Sequence, residues 1–95
     1  MKNTTVTIQI GNSDNKLRQV QWADFIEAVE KLLSKTAVVI HFAGGSDPRA
    51  SWQNFCWVIE IPPERMPQFK ASLLFVGSAF FQDSIAVTEG ETLFV

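Results

Sequence analysis

The sequence predicts an α+β domain: a four-stranded antiparallel sheet with two helices on one face. Three observations lead there. Thr5-Val6-Thr7-Ile8-Gln9-Ile10 alternates strictly between polar and apolar residues, the pattern of a half-buried strand. Trp22, Phe25, Ile26, Val29, Leu32 and Leu33 recur at spacings of 3 and 4, the pattern of an amphipathic helix. Gln53-Asn54-Phe55-Cys56-Trp57-Val58-Ile59-Glu60-Ile61 is the most apolar run, is rich in β-formers, and stops at Pro62-Pro63. It reads as a central strand, and the chain is organised around it.

The elements follow in order. The first strand gives way to Gly11-Asn12-Ser13-Asp14-Asn15, a cluster of turn formers. A helix is expected from about Gln19 to Ser34. Its apolar stripe occupies one side, with Asp24, Glu27 and Lys31 opposite, and Glu27 with Lys31 makes a favourable i,i+4 pair. Ala37 to Ala43 is a second strand, β-branched and uninterrupted. Gly44 to Ser51 is read as a long turn because it holds Gly44-Gly45 and Asp47-Pro48. The central strand, Trp52 to Ile61, then pairs back as a hairpin. A second helix is expected near Glu64, with Pro67 in its first turn, where amides have no intrahelical acceptor. Met66, Phe69, Leu73, Val76 and Phe80 form its core stripe. Ser84 to Thr88 is a last strand, and Glu89-Gly90-Glu91 can turn the chain. Thr92-Leu93-Phe94-Val95 is read as continuing that strand or pairing as a short fifth one.

Bulk properties narrow the class. With 95 residues the chain fits one domain, and two ordinary domains would need more. Hydrophobic residues make up 46%, enough for a small core; a domain this size gains from an oligomeric partner. The net charge of −2 argues against free nucleic acid or an anionic membrane as the main partner, since both call for a basic patch. A single cysteine, Cys56, excludes an internal disulfide framework and fits a cytoplasmic location. The segment from Met1 to Thr5 lacks a signal-peptide core. No apolar run approaches the roughly 20 residues of a membrane helix.

The order strand, helix, strand, strand, helix, strand over nearly the whole chain resembles the ferredoxin-like fold. That resemblance implies that the strands from Thr5 and from Gln53 lie side by side in the middle of the sheet. It implies little about activity, because the fold hosts many functions. The segments Ile10 to Leu17, Trp52-Gln53-Asn54, Cys56-Trp57-Val58 and Gln82 to Ala86 are also similar to an uncharacterised group of short bacterial and phage-associated proteins. No catalytic residue comes with that similarity.

Two surfaces are candidates for function. On the second helix Leu74 and Phe75 lie more than about 100° from the centre of the core stripe, with Ala71 and Ser78 nearby. Such a pair can mark a partner site. The plainer explanations are a rotated helix or coverage by Thr92 to Val95. The second surface is the open sheet face. If Phe55, Trp57, Ile59 and Ile61 point to the core, then Trp52, Asn54, Cys56, Val58 and Glu60 look outward beside Thr7, Gln9 and His41. This mixed surface suits a dimer interface or a ligand floor, and antiparallel sheets also often leave one face wet.

No catalytic constellation is expected. His41 is the one histidine; a general-base role or a Cys56–His41 pair would need a proximity that sequence does not supply. Metal-ligand spacings are missing. Gly44-Gly45-Ser46 precedes no helix, so phosphate-loop logic fails. Phe55 and Trp57 invite comparison with RNA-recognition sheets, but the first strand has no aromatic and no basic flank. The polar loop from Asn12 to Lys16 can carry binding groups, although capping and turn closure explain most of its composition.

The expected function is that of a small acidic, non-enzymatic interaction protein. It would self-associate as a homodimer and bind a protein partner, with Ala71, Leu74, Phe75 and Ser78 at an interface. The phage-associated resemblance implies an inhibitor or modulator of a host system. The alternative is a small-molecule binder or minor enzyme on the open sheet face of a dimer, using His41, Trp52, Asn54, Cys56 and Gln9. No cofactor, metal, nucleic acid or membrane is expected in either case.

Overall fold

In the computed structural model, residues 2–12, 14–47 and 49–95 are described. Met1, and Ser13 and Pro48, both read above as turn residues, lie outside the described residues. The elements are β1 (Thr4–Gly11), α1 (Gln19–Thr36), β2 (Val39–Gly45), β3 (Asn54–Ile61), a 3-10 turn (Pro63–Arg65), α2 (Met66–Ala79) and β4 (Ala86–Gly90). The strands form one sheet in the order β2-β3-β1-β4, and every neighbouring pair is antiparallel. β1 and β3 are therefore the central strands, as expected.

The frame of β3 decides which side chains build the core. Trp57, Ile59 and Ile61 are buried, and Phe55 packs against them partly covered. Val6, Ile8 and Ile10 come from β1 in register: Ile8 sits opposite Trp57 and Val6 opposite Ile59. Above them α1 supplies Trp22, Phe25, Val29 and Leu33, and α2 supplies Met66, Phe69 and Leu73. Each such side chain contributes about 1.5–3 kcal/mol on burial. Phe25 and Phe80 stack with centroids 5.0 Å apart, tying the end of α2 to the middle of α1.

Several boundaries differ from expectation. α1 runs on to Thr36, whose hydroxyl donates to the Leu32 carbonyl, and the Ala37 amide closes the last turn on Leu33. α2 begins at Met66 because Pro63 to Arg65 first forms a 3-10 turn. β2 starts later and continues through Gly44 and Gly45, which were read as a turn. Glycine is needed at residue 45 for close approach: a Cβ there would lie 2.3 Å from the Asn54 carbonyl oxygen. β3 starts at Asn54, so Trp52 precedes the strand. β4 runs through Glu89 and Gly90, which pair with Val6 and Thr5 rather than turning.

The segment from Thr92 to Val95 forms no strand, so the short fifth strand does not form. It does not cover α2 either. The Thr92 and Thr5 hydroxyls are hydrogen-bonded 2.5 Å apart, and the Phe94 ring lies 6.1 Å from that of His41 on β2. The segment thus crosses one end of the open sheet face.

Candidate functional site

The register of the sheet lays out the open face row by row. At one end Val39, Glu60, Thr5 and Gly90 lie across the four strands, beneath Thr92 and Phe94. Next come Phe42, Val58, Thr7 and Thr88. Then follow Gly44, Cys56, Gln9 and Ala86. The β2 register slips between Ile40 and Phe42, and His41 sits in that irregularity. Such bulges re-aim a side chain. Here His41 Nε2 donates to the Glu60 carboxylate at 2.6 Å.

That register divides the five residues read as a ligand site. Gln9, Asn54 and Cys56 line one shallow depression of about 400 Å³, together with Ile10, Gly11, Phe55, Ser84 and Ala86. His41 is not among them. Its partner Glu60 stands four residues along β3 from Cys56, roughly 13 Å at strand rise, so no Cys56–His41 pair forms. Trp52 lies before the strand, exposed to solvent. The open face accordingly offers a mixed amide and thiol hollow at one end and a His–Glu pair under Phe94 at the other.

The second helix presents the other surface. Leu74 and Phe75 are 71% and 78% exposed, and Ala71 and Ser78 are exposed beside them. The sequence reading places these four on one outer side, and the structure agrees. Next to them runs a groove of about 300 Å³ that the helical stripe does not disclose, lined by Lys70, Leu73, Leu74, Gly77, Ile85 and Val87 among others. Its floor exists because Gly77 lets Ile85 approach: a Cβ there would stand 3.2 Å from Ile85 Cδ1. Lys70 guards the rim, paired with Glu89 at 2.7 Å. Periodicity along one helix cannot reveal a groove whose second wall is a strand edge.

Asn12, read as a loop residue that could bind or cap, is structural. It is 1% exposed. Its Nδ2 donates to the Leu17 carbonyl and to Gln53 Oε1, and its Oδ1 accepts the Leu17 amide. Its own amide reaches the Gln53 carbonyl. This side chain clamps the β1–α1 connection to the start of β3.

No family model and no curated protein matches this sequence. Solved structures do share the architecture. A formyltetrahydrofolate deformylase from Pseudomonas syringae superposes with a TM-score of 0.60 at 17% identity, over 94% of this chain and 28% of its own. A protein of unknown function from Galdieria sulphuraria gives 0.56 at 15% identity, over 97% and 50%. A dimeric ferredoxin-like protein from an uncultured marine organism gives 0.52 at 9% identity, over 100% and 93%. The fold is ferredoxin-like. The chain spans no more than half of the first two proteins, and identities this low carry the fold alone. None of the three is described as phage-associated, so that resemblance gains no support from them. Among the described residues, no helix is long and apolar enough to cross a membrane.

Proposed function

We propose that this chain is a small interaction domain that self-associates and holds a protein partner against the outer side of α2. The observation that carries this reading is the Leu74–Phe75 pair standing in solvent beside the apolar groove between α2 and β4. Clustered exposed apolar side chains next to a concave surface are what a partner's apolar segment fills. The description of one ferredoxin-like neighbour as dimeric supports the self-associating half of the reading.

Phe75→Asp tests the partner surface. Because Phe75 is exposed, the variant should unfold within about 0.5 kcal/mol of the native chain. The native chain and a Gln9→Ala control should capture the same protein from the organism's own lysate, and Phe75→Asp should lose it. Equal capture by all three variants would remove the α2 surface from the account. The identity of the captured protein also decides whether a modulator role in a host system holds.

One observation favours a second reading. Gln9, Asn54 and Cys56 share a hollow with both polar and apolar walls, as a small-molecule floor requires. Native mass spectrometry of the purified protein would bring this reading forward if it showed a bound small molecule that Asn54→Ala releases.

A further inference from the structure

The two edges of the sheet are unequal. β4 is five residues long, and Glu89 in it is ion-paired with Lys70. Short length and charge are the ordinary ways of closing an edge to other strands. β2 has neither. It spans seven residues, six of them exposed, and no Lys, Arg, Asp or Glu occurs between Thr36 and Asp47. Apart from His41, its side chains are apolar on both sides of the sheet. Ile40, opposite Ile59, faces the helices, yet 51% of it is exposed because the helices leave this edge uncovered. Phe42, opposite Val58, faces outward at 53%.

Among the described residues, no strand pairs with the outer side of β2. Ser46 donates to the Asn54 carbonyl, and the register runs unbroken from Phe42 to Gly45. Alternation along an antiparallel ladder therefore turns the Ala43 and Gly45 amides away from β3.

We infer that β2 is the self-association surface and that its occupant is β2 of a second copy, paired antiparallel about a twofold axis. This inference rests on the self-association proposed above and names its site. An uncharged edge meets itself without like-charge repulsion, and its free donors and acceptors complement one another under twofold symmetry. A seven-residue edge is a strip roughly 24 Å long and about 10 Å thick, short of the roughly 800 Å² per partner that a stable dimer buries. Leu93 and Phe94 add exposed apolar area to this strip. They are 75% and 83% exposed, and the contact of Phe94 with His41 places that ring beside the same edge.

The test combines two β2 variants with amide exchange on the intact chain. Ala43→Pro removes one outward donor at a position where an edge strand tolerates proline. Phe42→Lys places like charges across the twofold axis. With folding verified by circular dichroism, each variant should raise the dimer dissociation constant at least roughly tenfold, and Phe75→Asp should leave it unchanged. The Ala43 and Gly45 amides of the native chain should become protected as concentration rises. A dimer that survives both substitutions with those amides still exchanging freely would overturn the β2 assignment and leave self-association standing. A monomer at every concentration would overturn both.

Discussion

Trp57→Ala should cost about 3–5 kcal/mol of stability, the usual range for truncating a large buried aromatic. Trp57 is 1% exposed and lies between Ile8 on β1 and Ala43 on β2. Its ring packs 4.6 Å from that of Phe55, and its indole N–H donates to Glu30 on α1 at 3.3 Å. It therefore joins both sheet neighbours to a helix. Domains of this kind have only about 5–15 kcal/mol of stability in all, so the loss should be visible as a large drop in the urea midpoint with an unchanged slope. Trp57→Phe keeps most of the packing and loses the indole hydrogen bond, so it should cost about 1–2 kcal/mol. If the alanine variant were nearly neutral, β3 would have to present its other face to the helices.

Asn12→Ala should cost about 2–4 kcal/mol by a different route. It leaves the buried Leu17 amide and carbonyl without their side-chain partner, and stranded buried groups cost about 1–3 kcal/mol each. Asn12→Asp separates a clamp from a simple cap. Aspartate caps helices as well as asparagine does, so a capping role would tolerate it. The clamp would not: a carboxylate cannot donate to the Leu17 carbonyl or to Gln53 Oε1, and both oxygens would face a buried negative charge. Denaturant titration at neutral pH should therefore rank Asp below Ala. The reverse ranking would make Asn12 a turn former only.

The parts of this fold that were legible in the sequence are those where burial alternates. Val6, Ile8 and Ile10 fix the inner side of β1. Trp22, Phe25, Val29 and Leu33 fix the inner side of α1, and the Phe55-Trp57-Ile59-Ile61 set fixes the frame of β3. Each pattern is local, so a period of two or of about 3.6 reveals it. The edge strand was harder. Gly44-Gly45 carries turn chemistry, but here Gly45 admits the Asn54 carbonyl and the Phe55 backbone, and Gly44 leaves room for the Phe42 ring. The separation of His41 from Cys56 follows from how β2 slips against β3, which no single segment encodes. The path of Thr92 to Val95 was equally hidden. Four residues without periodicity chose the open sheet face through contacts with Thr5 and His41, both far away in sequence.

The same distinction explains the two surfaces. Helical spacing alone showed the outward turn of Leu74 and Phe75. The neighbouring groove needed Ile85 and Val87 brought alongside α2 by the pairing of β4 with β1. The exposure of β2 needed the strand order, since the run from Val38 to Ala43 reads much the same in a central strand as at an edge.

Sedimentation equilibrium of the native chain, from micromolar to millimolar concentration, addresses the claim that this domain works by associating. Two copies meeting at an open sheet edge should carry the average mass from 10.6 kDa toward twice that value as concentration rises. A single 10.6 kDa species across the whole range would contradict it.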